Sequence, residues 1–346
     1  MDKVSGIRVF QVTQSPRAEF PKGRNAFGDV ATRYQIWYKD KDSRHVPHRH
    51  RWHAGKTRSK IHTEVYSLME TIWFKDYYGF RMQRTPDRKE FSIPLGVTEG
   101  NIMKTFPITH MPHRNILVTG HAGTGKSTFL HVIMNTIFLR QSADQAQIWL
   151  YDTTGYEFQA CQKNHPPHIA YVGSGDQDSS FEAFLQSLEE DYKIRTQLLA
   201  KSGESMFVNW VEKRGSACMP QAFVLIDCFD HLLKMYSDRS DMMCRITTLL
   251  RQGFLLGVTF IVTAQDCMFF RWMDKQMNMQ FGIRIGLAQA DETLRELLEI
   301  PSAYILDTNL RRGEAMIVDF DYYKIKLLSI SPETEKKIIR LCCKSD

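Results

Sequence analysis

Short apolar runs alternate with longer amphipathic ones along most of the chain. NILVTG (115–120), AQIWLYD (146–152), AFVLIDC (222–228), VTFIVTAQ (258–265) and FGIRIGLAQ (281–289) are too short for helices and too continuous for half-buried strands. They read as strands covered on both faces. KSTFLHVIMNTIFLR (126–140), SSFEAFLQSLEEDYKIRTQLLA (179–200) and SDMMCRITTLLRQGF (240–254) carry helical periodicity, the second with Asp178 or Ser179 as its candidate cap. Strands alternating with helices in this way imply an α/β fold: a mainly parallel central sheet flanked by helices. GEAMIVDF (313–320) and KIKLLSI (324–330) suggest a closing antiparallel pair, and SPETEKKIIRLCC (331–343) a terminal helix capped by Ser331.

Before Asn115 the pattern weakens. RYQIWYK (33–39) reads as a strand, while RHVPHRHRWHAGKTRSK (44–60) has no period and suits a loop or linker. IHTEVYSLMETIWFKDY (61–77) has helical character, and EFSIPLG (90–96) a short strand entering a turn. Residues 1–60 therefore read as a basic N-terminal segment or linker, 61–90 as an adaptor region, and 91–346 as the principal domain.

Charge sharpens that division. The net +6 is uneven: residues 1–90 hold 19 Lys/Arg against 10 Asp/Glu, whereas the remainder sums to −3. A field positive at one end suits nucleic acid, acidic protein or anionic headgroups, and equally a solvated face. Seven scattered cysteines, an odd number partly inside apolar runs, argue for reduced thiols in a cytosolic compartment. No stretch approaches the roughly 18 apolar residues of a membrane span, so membrane association calls for a partner or for sequence outside this chain.

GHAGTGKST (120–128) supplies the chemistry. It matches G-x-x-x-x-G-K-S/T and stands between a predicted strand and a predicted helix, the context this phosphate-binding loop requires. Gly120, Gly123 and Gly125 let backbone amides turn toward phosphate oxygens, with Thr124 and Thr128 in the same loop and first helical turn. Lys126 brings a mobile charge to the β- and γ-phosphates, and Ser127 a hydroxyl ligand for magnesium. Asp227 ends an apolar strand and is the natural second magnesium-positioning group; the alternative is a cap on the following turn. ATP and Mg2+ are the implied ligands.

The next residue is Cys228, where a hydrolytic enzyme of this kind often carries glutamate. A general base must take a proton from the attacking water, and a cysteine buried at a strand end stays neutral. Asp230 would replace it only through an unusual turn. The sequence thus predicts nucleotide binding with weak or absent hydrolysis. Gln265, with Thr263 at the end of the adjoining strand, is a candidate to sense the γ-phosphate or orient water. Arg284, Arg311 and Arg312 are candidate fingers toward a neighbouring subunit's nucleotide.

Over roughly residues 90–330 the chain resembles the FtsK/SpoIIIE superfamily of ring-forming motor ATPases, most closely an ATPase module from the C-terminal part of the membrane-anchored ATPase of type VII (ESX) secretion systems. SIPLGVTEG (92–100) is similar to the family's IP-x-G segment, and HRNILVTGHAGTGKST (113–128) to its phosphate-loop run. PPHIAYVG (166–173), LLRQGFLLGVTFIVTAQ (249–265), FGIRIGLAQADETLRELL (281–298) and RRGEAMI (311–317) follow in the family's order. The resemblance implies a RecA-like P-loop NTPase fold, an oligomeric ring, and partners among other ATPase modules of the same full-length protein, secretion-system membrane components and WXG100-like substrates, on the cytoplasmic side of the cell membrane.

Departures bear on mechanism. Cys228 stands where active translocases have Glu, Phe254 near a basic position, Thr259 in place of His, and DET (291–293) in place of D-S-R. They resemble the degenerate modules that act in assembly or regulation. FPKGRNAFGD (20–29) is faintly similar to the tail of a preceding module, as in an excised fragment. The rival functions are a double-stranded DNA translocase domain and a non-catalytic, nucleotide-dependent scaffold. A slightly acidic ATPase portion disfavours nucleic acid.

Other clusters fit less specific roles. His45, His48, His50 and His53 lie among arginines that repel a cation, so a basic loop or anion patch suits them better than zinc. Trp52, Trp73, Phe74, Tyr77 and Tyr78 fit interlayer packing or base stacking. Phe269, Phe270, Trp272, Met273, Met277 and Met279 read either as an exposed docking surface or as core.

Overall fold

The computed structural model describes residues 92–98, 102–107, 115–214, 219–265, 272–301, 308–319 and 321–344, with short strands at 8–12, 33–37 and 72–73. The chain divides into a unit at Met1–Ile61 and one at His62–Asp346. In the first, β1 (Arg8–Val12) pairs antiparallel with β2 (Arg33–Trp37), inside the strand expected at 33–39. The stretch at 44–60, with its four histidines and Trp52, lies outside the described residues.

The second unit is built on a ten-stranded sheet. In addition to β3 (Ile72–Trp73), its strands are β4 (Ser92–Thr98), β5 (Met103–Pro107), β6 (Ile116–Thr119), β7 (Ala146–Asp152), β8 (Ile169–Ser174), β9 (Gln221–Asp227), β10 (Val258–Ala264), β11 (Ile283–Leu287), β12 (Glu314–Asp319), β13 (Asp321–Lys326) and β14 (Leu328–Ser329). The order across the large sheet is β5-β4-β13-β12-β11-β6-β10-β9-β7-β8. The six strands from β11 to β8 are mutually parallel, and the other four continue the sheet antiparallel. This is the α/β architecture the pattern predicts.

The parallel strands are apolar throughout because both faces are covered. Every residue of β6, β9 and β10 is buried, and alternate side chains enter opposite cores. Ala222, Val224 and Ile226 face one core, Phe223 and Leu225 the other. The first core lies under α3 (Asp178–Ser202), α4 (Phe207–Arg214), α5 (Phe229–Met235) and α6 (Ser240–Leu256). The second holds α1 (Lys126–Arg140) and α2 (Gln159–Asn164), with the C-terminal helix α9 (Pro332–Cys342) packed on α1. Sandwiched between sheet and α9, α1 is buried nearly all round, which explains its lack of a polar face. The short helices α7 (Lys275–Asn278) and α8 (Asp291–Leu297) complete the described set.

Several expectations are corrected. Ile72–Trp73, inside the segment expected to be helical, forms a strand that pairs with Leu328–Ser329, so a distant partner overrides local periodicity. The strand expected at 324–330 is broken: β13 ends at Lys326 and β14 joins the two-stranded pair. Neither Asp178 nor Ser179 caps α3. Its N-cap is Gln177, and Asp178 instead accepts from Tyr236 Oη at 2.7 Å and Arg239 Nη1 at 2.7 Å. Ser331 does cap α9, accepting from Thr334 N at 3.2 Å. Met273 and Met277 are buried while Met279 is exposed, so that segment is mostly core; Phe269 and Phe270 lie outside the described residues.

Candidate functional site

The site lies at the carboxyl edge of the parallel strands, where β6 gives way to α1. Residues 120–125 turn the chain on three glycines, Gly120, Gly123 and Gly125. Gly120 (φ 158°) approaches Leu287 and Thr124 so closely that a Cβ would lie 2.8 Å from each, and Gly125 takes φ 118°. The turn is anchored from outside as well as within. His121 N donates to Ala288 O at 3.1 Å, Gly313 N to Thr124 O at 3.2 Å, and Thr124 Oγ1 to His121 O at 2.8 Å. Thr119 and Gln289 bond side chain to side chain at 2.8 Å beneath it. Gln289 and the RRG turn hold the loop in place. Neither was assigned that task by the sequence, although both fall inside the family-like segments.

Gly125 caps α1 without a side chain, so the helix's first-turn amides have no side-chain acceptor on the N-cap. An open cradle of backbone donors at a helix start fits a polyphosphate. Lys126 is buried and its Nζ donates to Gly120 O at 2.8 Å and His121 O at 2.9 Å. Burial pulls its pKa below the usual lysine value, against the opposing charges of Asp227 and Asp230. Thr128 is half-buried in the same turn.

Asp227 sits at the end of β9, 2% exposed. Ser127 Oγ donates to its Oδ2 at 2.9 Å, and Thr263 Oγ1 to its Oδ1. Burial raises its pKa, while the two hydroxyl bonds work in the other direction. Ser127 and Asp227 form an all-oxygen donor pair of the kind a small hard cation such as Mg2+ takes. The sequence-predicted set is therefore together in space: Gly120, Gly123, Thr124, Gly125, Lys126, Ser127 and Thr128 on one side, Asp227 across from them.

Cys228 occupies left-handed backbone (φ 56°, ψ 50°) as the N-cap of α5. Its thiol pKa is pushed up to about 12, first by burial and then by Asp227 and Asp230. A neutral thiol is no base at physiological pH. The left-handed turn brings Asp230 back beside the sheet edge, where its Oδ2 accepts from Gln265 N at 3.1 Å. Asp230 is 1% exposed and lines a cleft of about 270 Å³ with His121, His231, Lys234, Gln265 and Trp272. Gln265 thus stands at the cleft with its backbone fixed and its side chain exposed.

The three arginines differ. Arg284 is held within its own chain by Glu299 Oε1 at 2.8 Å and Leu297 O at 3.0 Å, and pairs in register with Leu117, well before the loop. These contacts remove it from the candidate fingers. Arg311 and Arg312 are exposed next to Gly313, the residue that touches the loop.

Behind the loop, one feature escaped the sequence reading. His131 on α1 lies between two carboxylates, Glu335 of α9 (2.7 Å) and Glu157 (3.3 Å). Asp152, opposite Asp227 in register, accepts from the amides of Thr154, Tyr156 and Glu157 and so fixes the segment carrying Glu157. Partners so distant in sequence leave no local signal.

The model of the FtsK/SpoIIIE family matches residues 80–292. The type VII secretion system protein EssC of Staphylococcus aureus (strain MRSA252) is 25% identical over 205 residues, covering 57% of this chain and 13% of EssC. The ESX-4 secretion system protein EccC4 of Mycobacterium tuberculosis is 23% identical over 225 residues, 61% of this chain and 17% of EccC4. The chain therefore spans only a minor part of these relatives. The solved structure of EssC (ATPases 2 and 3) from Geobacillus thermodenitrificans is similar in fold, with a TM-score of 0.62 at 18% identity over 77% of this chain and 51% of that one.

Proposed function

This chain belongs to the FtsK/SpoIIIE family, and from that membership we propose that it is a nucleotide-binding module of a type VII protein-secretion ATPase that holds Mg-ATP and hydrolyses it weakly or not at all. The observation that carries the reading is the cluster of Lys126, Ser127 and Asp227 with a neutral Cys228 beside it. Backbone amides at the start of α1 and the Lys126 ammonium would hold the phosphates. Ser127 and Asp227 would face the metal, which supplies charge neutralisation at the β- and γ-phosphates. Two hydroxyl donors hold the Asp227 side chain in place, and Gln265 stands where a γ-phosphate can be sensed.

On this reading the module acts in assembly or regulation of protein export. It works in an oligomeric ring with other ATPase modules of a longer protein, membrane components of the secretion system and WXG100-like substrates. Its place is the cytoplasmic side of the membrane. No helix among the described residues is long and apolar enough to cross a bilayer, so anchoring falls to other segments or partners. A DNA-translocase role is the second reading; DNA-stimulated turnover would favour it.

The test compares Mg-ATP binding and hydrolysis by the wild-type protein and Cys228→Glu. Both should bind nucleotide, and the substitution should raise turnover by up to about 10²-fold, the lower bound for a well-placed base. Rapid hydrolysis by the wild type, with no gain in the variant, would overturn the account of Cys228.

A further inference from the structure

β10 carries near its carboxyl end a fully buried hydroxyl, that of Thr263. Two hydrogen bonds meet on its Oγ1. The amide of Cys228 donates to it at 3.0 Å, and the same oxygen bonds Asp227 Oδ1. A threonine hydroxyl has one proton and two lone pairs. The Cys228 amide is a donor only, so it occupies a lone pair, and the single proton of Thr263 goes to the carboxylate.

The consequence is orientational. Thr263 holds Oδ1 of Asp227 from the neighbouring strand while Ser127 Oγ holds Oδ2 at 2.9 Å from α1. With both oxygens gripped from opposite sides, the carboxylate plane cannot rotate freely. The in-register pairing of β9 and β10, with Val262 opposite Ile226, sets Thr263 beside Asp227. Outer partners of this kind orient the groups that face a metal.

We propose that Thr263 is a positioning residue for the nucleotide-associated divalent cation, fixing Asp227 so that Oδ2 and Ser127 Oγ face the metal. This rests on the nucleotide-binding reading and adds to it a residue outside the phosphate loop and its acidic partner. Through the Cys228 amide, the same hydroxyl ties the metal-facing acid to the left-handed turn that starts α5. A shift of α5 would therefore be felt at the metal.

Thr263→Val keeps the side-chain shape and deletes both bonds; Thr263→Ser keeps the hydroxyl. Binding of a fluorescent adenine nucleotide is measured across a Mg2+ titration and separately in EDTA, with a thermal melt of each protein. In EDTA all three should bind alike. The half-saturating Mg2+ concentration should rise about 10- to 100-fold in Thr263→Val and return toward wild type in Thr263→Ser. Thr263→Cys, a milder change with a weak donor, supplies the same comparison if the valine variant does not fold, and should give an intermediate requirement. Wild-type Mg2+ dependence in a folded valine or cysteine variant would overturn the proposal, as would an equal loss of affinity with and without Mg2+. Absence of nucleotide binding by the wild type in either condition would instead remove the nucleotide reading, and this proposal with it.

Discussion

Substituting His131 by Gln tests whether the helix that begins at the phosphate loop is clamped electrostatically to the C-terminal helix. His131 is 12% exposed, and both ring nitrogens contact carboxylates, which requires two donors and hence the imidazolium form. Burial alone would lower its pKa, but the hydrogen bonds and charges of Glu157 and Glu335 together outweigh it and raise the value from 6.5 to about 10. At about 1.4 kcal/mol per unit, that shift sets a ceiling of about 5 kcal/mol. Glu157 is 37% exposed and solvent screens its share. Breaking a buried pair and leaving Glu335 uncompensated costs about 3 kcal/mol at the lower end, and that is the magnitude expected here. A pKa raised on folding stabilises fully below the unfolded value and is lost as pH rises through the folded value. The gap between wild type and His131→Gln in urea unfolding should therefore be about 3 kcal/mol near pH 6.5 and shrink toward zero above about pH 10. A gap that ignores pH, or one below about 1 kcal/mol at the acidic end, would refute the buried imidazolium.

Three further outcomes follow from packing and protonation. Arg195, 2% exposed, pairs with Asp191 on its own helix (2.5 Å) and joins α3 to the entries of β9 and β10 through Pro220 O (2.8 Å) and Leu256 O (3.1 Å); Arg195→Met should cost about 3–5 kcal/mol in denaturant unfolding, while a change under about 1 kcal/mol would contradict it. Gly257 has φ 73° and an added Cβ would lie 2.4 Å from the Phe207 ring, so Gly257→Ala should lower stability by more than about 1 kcal/mol; an unchanged melting temperature would show the contact to be yielding. The Cys228 thiol, at about 12, should be alkylated by iodoacetamide near neutral pH far more slowly than exposed Cys244 or Cys343, read by peptide mass spectrometry. Early labelling of Cys228 would contradict the neutral thiol.

The phosphate loop was legible because its constraints are local. Gly120 and Gly125 must turn, Lys126 and Ser127 must open a helix, and all lie within a few residues. The buried parallel strands were equally legible, since a strand covered on both faces writes itself as an apolar run. Helices α2, α4, α5, α7 and α8 were not anticipated, being too short for periodicity to register. The Ile72–Trp73 strand was misread for a different reason: its partner, Leu328–Ser329, is far along the chain. Arg284 looked like an unpaired charge in an apolar strand until folding brought Glu299 to it.

By itself, the sequence determined the alternating layers, the glycine-rich turn that opens α1, the acid at the end of β9 and the cysteine after it. These are properties of residue type and short spacing. Only the tertiary structure decided that Thr263 grips Asp227, that the left-handed turn at Cys228 swings Asp230 toward Gln265, and that His131 is caged by Glu157 and Glu335. Each of those contacts joins groups far apart in the chain or across a strand edge. Strand order and helix packing fix such distances, and no local pattern encodes them.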